Sequence, residues 1–203
     1  MPGLLMVLIG LLAGSIPFGF LAGRSMQGID LRNVGSGGTG ATNVLRTLGK
    51  KASATVLILD FLKGLVPVLA ARWLGVGEWW VAAVAVATVI GHCWSPFIGF
   101  KGGKGVATGG GAAIALFPPV LLVVPVILLI IWRTRYVSLG SLVGAGLAVV
   151  LAAAFAIAGP LPWAFAVAIA AIAAIIVFRH RENIDRLRTG SERKLGQWVQ
   201  VAS

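Results

Sequence analysis

The sequence predicts an all-α integral membrane protein with seven transmembrane helices, some short, the N-terminus outside and the C-terminus cytoplasmic. Three observations carry this. Of 203 residues, 58% are hydrophobic and only 11% charged, with a mean hydropathy of +0.96, whereas soluble domains are about half apolar. Apolar runs near the roughly 20 residues that cross a hydrocarbon core of about 30 Å recur along the chain. And fifteen of the seventeen Lys and Arg residues fall in four stretches, 24–53, 91–105, 133–136 and 179–203, which seven crossings place on one side. Cytoplasmic segments carry this excess of positive charge. No polar linker divides the chain, so residues 1–203 are expected to form a single domain.

The first span is expected over residues 4–23, kinked at Pro17. No lysine or arginine precedes it and apolar sequence continues to Ala22, so it reads as an uncleaved helix rather than a signal peptide. A polar stretch follows, with GSGGTGATN at residues 35–43 forming a loop that opens into a short helix near Ala41. Spans two and three cover residues 54–73 and 79–97. Apolar sequence from 106 to 132 is broken at Pro118-Pro119. Read as one span, it would send Arg133, Arg135 and the basic tail to the opposite face, so charge favours two short spans. Residues 137–158 and 163–178 supply the last two, ahead of the charged tail. Trp73, Trp79, Trp80, Trp94, Trp132 and Trp163 fall near span ends, as an interfacial belt requires.

The net charge of +11 would suggest nucleic acid in a soluble protein. Here cytoplasmic loops and anionic headgroups account for it, and no nucleic-acid partner is expected. Cys93 is the sole cysteine, which rules out an intrachain disulfide and a thiolate cluster. The spacing of two histidines and six carboxylates resembles no metal ligand set, and no metal or other cofactor is expected.

Chemistry concentrates in three polar stretches. Residues 91–111 read GHCWSPFIGFKGGKGVATGGG. Three residues rather than four separate Gly99 from Gly103, and Gly105 stands where a nucleotide P-loop has Ser or Thr, so this is not such a loop. Anion binding remains open to it: Gly102, Gly103 and Gly105 offer backbone N–H groups, Lys101 and Lys104 add charge, and a helix starts near Val106. The alternative is a glycine hinge whose lysines meet lipid headgroups.

In the second stretch, GSGGTGATNVLR, Ser36, Thr39, Thr42 and Asn43 offer polar donors. Arg46 offers a phosphate-matching fork about one turn beyond Thr42. The alternative is a flexible loop capped at Thr42. In the third, RHRENIDRLRTGSERK, His180 and Asn183 share a helical face, while most arginines read as a basic segment on the inner leaflet. A His-x4-Asp pattern, His180–Asp185, is treated as coincidence because that spacing points the two side chains about 140° apart. Asp60 and Lys63 are expected to pair inside the second span. His92 reads as a packing or capping residue. Ser138 and Ser141 lead into the sixth span, as possible anion donors or as partners of their own helix backbone.

These three stretches, with DFLKG at residues 60–64 and RYVSLGS at 135–141, resemble the bacterial acyl-phosphate:glycerol-3-phosphate acyltransferases, the PlsY family. Gly38 departs from the family's usual asparagine. The resemblance implies transfer of a fatty acyl group from acyl phosphate to the sn-1 hydroxyl of glycerol 3-phosphate, giving lysophosphatidic acid and phosphate. It implies a multi-pass protein of the bacterial inner membrane, with its site facing the cytoplasm and a single copy sufficing. No nucleophile elbow is present, and an acyl phosphate is already activated, so electrostatic positioning is the expected mechanism. Ser36, Arg46, Lys104, His180 and Asn183 are expected to hold glycerol 3-phosphate. Thr42, Asn43, the Gly102–Gly103 backbone and Ser141 are expected to hold the acyl phosphate, with Lys101 nearby. The substrate's own phosphate is the expected base, with His180 the runner-up. The rival classes are an organic-phosphate transporter and a non-catalytic lipid-binding scaffold.

Overall fold

The computed structural model describes residues 2–198, and all regular structure among them is helical. Helices α1 (Pro2–Ser15) and α2 (Phe18–Gln27) make one apolar passage, interrupted where Pro17 predicts a kink. Two of the carbonyls freed at the break are satisfied by side chains from elsewhere in the bundle. Lys63 Nζ donates to the Ile16 carbonyl at 2.7 Å, and Ser95 Oγ to that of Ser15 at 2.5 Å. Helix α3 (Ala41–Leu48) opens where expected, although its cap is Gly40 rather than Thr42. Gly49, at φ 89°, turns the chain into α4 (Lys50–Trp73). The chain continues through α5 (Glu78–Cys93), α6 (Val106–Leu116), α7 (Val124–Thr134), α8 (Val137–Ile157), α9 (Trp163–Arg179) and α10 (Arg181–Arg188).

Helix α5 is the centre of the bundle, and α1, α4, α6 and α9 pack on it. Without a hydrophobic drive between helices in lipid, close backbone approach supplies the attraction. Two reciprocal glycine pairs permit it. A Cβ on Gly14 would come within 2.1 Å of the Thr88 carbonyl, and one on Gly91 within 2.3 Å of that of Leu11. Where α4 crosses α6, a Cβ on Gly64 would meet the Thr108 carbonyl at 2.0 Å, and one on Gly111 that of Phe61 at 2.1 Å. Large apolar side chains such as Leu5, Leu12, Ile58 and Leu122 face outward, as a lipid-immersed bundle requires.

Helix length and composition support a coarser count. Among the described residues four helical passages are long and apolar enough to cross a membrane, or five if α9 and α10, bent by 59°, count as one. The chain does break ahead of Pro118, with a 3-10 turn over Pro118–Val123. Helices α6 and α7 hold 11 residues each, about 16 Å at 1.5 Å per residue, and are short apolar helices of the bundle. Prolines at 118, 119 and 125 set those limits. Trp73, Trp79, Trp132 and Trp163 are exposed at helix ends. The last five residues of the charged tail lie outside the described residues.

Candidate active site

The polar stretches meet at one cavity of about 450 Å³. Residues 35–46, the 103–107 turn, the first turn of α8 and the 180–193 tail supply its polar walls, while Leu57, Ile127, Ile131 and Val137 make an apolar side. Four cations, Arg46, Lys104, Arg186 and Arg193, border it against two carboxylates, Asp60 and Glu192. Asp60 is already matched by Lys63, 2.7 Å away. The excess of positive charge along this wall, with Arg46 buried in it, suits a multiply charged anion.

Arg46 carries the strongest signal. It is 8% exposed, its Nη2 donates to the Arg193 carbonyl at 3.2 Å, and its buried Nε has no partner. A guanidinium edge left bare inside a protein is costly unless something else occupies it. Thr42 lies one turn back on α3 and also lines the cavity. Neither the Ser36 nor the Thr42 hydroxyl has a hydrogen-bond partner among the described residues. Lys104 Nζ donates to Asn183 Oδ1, and Asn183 Nδ2 to Glu192 Oε1 at 2.6 Å. Burial pulls Lys104 down to about 8, with the charges of Glu192, Arg186, Glu182 and Arg46 acting in both directions.

His180 closes the bend between α9 and α10. Its Nδ1 lies 2.8 Å from the Ile176 carbonyl; a carbonyl can only accept, so Nδ1 carries the proton and Nε2 keeps a lone pair. Burial lowers its pKa to about 4 against the opposing Ile176 bond. A neutral imidazole with a bare Nε2 suits accepting a hydroxyl hydrogen bond. Asp185 is exposed, as a coincidental His-x4-Asp match implies.

Several expected ligands have other roles here. Asn43 spends its side chain on the loop: Nδ2 donates to the carbonyls of Leu31, Val34 and Gly38, and Oδ1 accepts the Ser36 N–H at 3.0 Å. It shapes the wall without a spare donor. The Gly102 and Gly103 N–H groups are also committed, to the Cys93 and His92 carbonyls at 3.2 and 3.1 Å. These are carbonyls that the end of α5 leaves orphaned. The glycines are required because a Cβ at 102 would sit 2.0 Å from the His92 carbonyl, and one at 103 would sit 2.1 Å from His92 Nε2. The amides available to an anion are those opening α6, where Gly105 at φ 82° leads in without a side-chain cap. Ser141 Oγ donates to its own helix, at the Val137 carbonyl. Lys101 is exposed and does not border the cavity.

Two groups that sequence reasoning missed organise these walls. Glu192 accepts from Ser138 Oγ, Asn183 Nδ2 and Arg186 Nε at 2.8, 2.6 and 2.8 Å. Burial raises its pKa, but those three hydrogen bonds outweigh it and hold the carboxyl below its ordinary value. Arg179 donates to the Gly102 and Gly103 carbonyls at 3.1 Å and stacks over Trp94, clamping the turn. In sequence both are single charges in a charged tail, with nothing to separate them from their neighbours.

Residues 4–190 match the family model described as glycerol-3-phosphate acyltransferase. The chain belongs to that family. The glycerol-3-phosphate acyltransferase of Rubrobacter xylanophilus is 47% identical over 194 residues, covering 95% of this chain and 94% of its own. Glycerol-3-phosphate acyltransferase 1 of Deinococcus radiodurans is 46% identical, covering 97% of each. The crystal structure of PlsY, an integral membrane glycerol 3-phosphate acyltransferase, in its glycerol 3-phosphate form is similar at a TM-score of 0.89 and 44% identity. That match covers 97% of this chain and 96% of PlsY. The lysophosphatidic acid form of PlsY gives 0.86 at 42% identity, with 97% of each chain covered. The family thus agrees with the fold and with an anion-binding cavity.

Proposed function

We propose that this acyltransferase moves a fatty acyl group from acyl phosphate to the sn-1 hydroxyl of glycerol 3-phosphate, releasing lysophosphatidic acid and phosphate. The observation that carries this is the bare guanidinium edge of Arg46 beside Lys104, in a wall of excess positive charge that faces an apolar side. Both substrates bring phosphate to that wall, and the acyl chain lies along Leu57, Ile127 and Ile131. Ser36, Arg46, Lys104, His180 and Asn183 hold glycerol 3-phosphate. Thr42 and the amides opening α6 hold the acyl phosphate in place of Gly102 and Gly103, with Asn43 and Ser141 shaping the wall.

The glycerol hydroxyl oxygen attacks the acyl carbonyl carbon, the carbon–oxygen bond to phosphate breaks, and the electron pair leaves with phosphate. The hydroxyl proton passes to a substrate phosphate. His180, with Nδ1–H held on the Ile176 carbonyl and its pKa lowered by burial, offers Nε2 as an acceptor that orients the hydroxyl. Developing negative charge is met by groups already in place, which is the main source of acceleration in such sites.

The chain crosses the bacterial inner membrane as a single unit of seven passages, two of them short, with the N-terminus outside. The Lys and Arg distribution supports a cytoplasmic site, and a single copy suffices. The purified protein in detergent, given both substrates, is expected to form lysolipid and phosphate although no membrane separates compartments. A phosphate transporter forms neither.

A further inference from the structure

Three charged or titratable side chains outside the assigned set form a buried cluster between α4 and α5. Asp60, Lys63 and His92 are 2%, 6% and 6% exposed within an apolar bundle. Lys63 Nζ lies 2.7 Å from Asp60 Oδ1 and also donates to the Ile16 carbonyl at the break after α1. His92 Nδ1 stands 3.6 Å from the same Asp60 oxygen. That oxygen has no directed hydrogen bond, so the cluster is held by charge rather than by a saturated network. A buried ion pair is expensive in a membrane helix, and an apolar pair of similar volume holds helices together at least as well. Stability alone therefore does not account for it.

The other side of His92 shows what the cluster touches. Its Nε2 lies against Gly103, with room for no Cβ, and its carbonyl accepts the Gly103 N–H at 3.1 Å. The next residue is Lys104, whose ammonium meets Asn183 in the cavity. We propose that Asp60, Lys63 and His92 are positioning residues for acyl transfer. The ion pair fixes the His92 ring, the ring fixes the Gly103–Lys104 backbone, and Lys104 is thereby presented to a substrate phosphate. The proposal rests on Lys104 as a phosphate ligand.

The test separates positioning from structural pairing. Asp60→Asn and Lys63→Met each leave an uncompensated charge and are expected to lower the melting temperature. The double variant Asp60→Asn/Lys63→Met removes both charges and is expected to recover it. It should nevertheless keep a roughly 10- to 100-fold lower kcat/KM for glycerol 3-phosphate, the scale of a displaced positioning contact, expressed mainly in KM. His92→Gln, with the ion pair intact, should melt normally and show the same KM rise. In a Lys104→Ala background the double change should cost less than a further twofold, because both act through one group. A double variant with restored melting and wild-type kcat/KM overturns the proposal, as does a normal KM in His92→Gln or an additive loss in the Lys104→Ala background. Near-normal activity in Lys104→Ala alone overturns instead the role given to Lys104, and the proposal with it.

Discussion

Replacing Arg46 with alanine removes a buried cation whose Nε has no partner among the described residues. The guanidinium is 8% exposed, and only Nη2 is engaged, by the Arg193 carbonyl at 3.2 Å. A unit charge pair about 4 Å apart at an effective dielectric of 20 is worth about 4 kcal/mol. Loss of one preorganised donor from a developing oxyanion costs about 2.7–4 kcal/mol. The two scales agree, so Arg46→Ala should lower kcat/KM by about 10²- to 10³-fold. Arg46→Lys keeps the charge but loses the planar fork and should fall between the two. The structural part of the loss is small, because among the described residues the Arg46 side chain gives up a single hydrogen bond, to the Arg193 carbonyl. Initial rates of phosphate release in detergent, varied separately in each substrate, provide the assay, with the melting temperature as control. Arg46→Ala activity within twofold of wild type would falsify the assignment of Arg46 as a phosphate ligand.

Other outcomes follow from the same geometry. Lys104, held down to about 8 by burial, is charged below that pH and neutral above it. KM for glycerol 3-phosphate should therefore rise as pH climbs through about 8, and Lys104→Arg should remove that alkaline limb; an unchanged limb in the arginine variant assigns it to another group. Glu192→Ala frees three donors, those of Ser138, Asn183 and Arg186, and should cost about 1–3 kcal/mol of stability on the scale of hydrogen bonds to a charged, half-buried group. Melting temperature and activity should fall together. Because the Glu192 pKa is depressed in the folded state, its contribution is complete above the ordinary value of 4.5 and is lost as pH falls below it. Wild type and Glu192→Ala should then converge in stability on acidification, and a gap that stays constant would contradict this. Gly64→Ala puts a Cβ 2.0 Å from the Thr108 carbonyl, forces α4 from α6 and should cost about 1–3 kcal/mol. Gly110→Ala, with open space around it, should melt like wild type, which makes the pair an internal control.

Much of the fold was legible because apolar length and charge placement are one-dimensional signals. Pro17 and Pro118 mark breaks that appear where expected, and α4, α5 and α8 follow their apolar runs closely. The division of residues 106–132 into two short helices, α6 and α7, was legible from Pro118-Pro119 and from the charge that follows at Arg133 and Arg135. In the site, Arg46, Lys104, His180 and Asn183 were found from residue type and helical spacing, and they do line one cavity. Gly102 and Gly103 were found for the wrong reason. A glycine needed to dock on α5 carbonyls is indistinguishable in sequence from one that lets an anion approach. Asn43 likewise reads as a donor set until its four loop bonds are seen. The links from Asp60 to His92 and from Asn183 to Glu192 join distant segments of the chain or cross a turn, so no local pattern announces them.

Direct transfer between two substrates held in one cationic cavity is the central claim, and the first turnover tests it. Purified protein in detergent is mixed with acyl phosphate, with or without glycerol 3-phosphate, and quenched within single turnovers. Phosphate and lysophosphatidic acid should appear together and in equal amounts, and no phosphate should be released without glycerol 3-phosphate. A burst of phosphate that precedes the lysolipid, or that forms without the acceptor, would mean the acyl group rests on the enzyme first and would contradict the account.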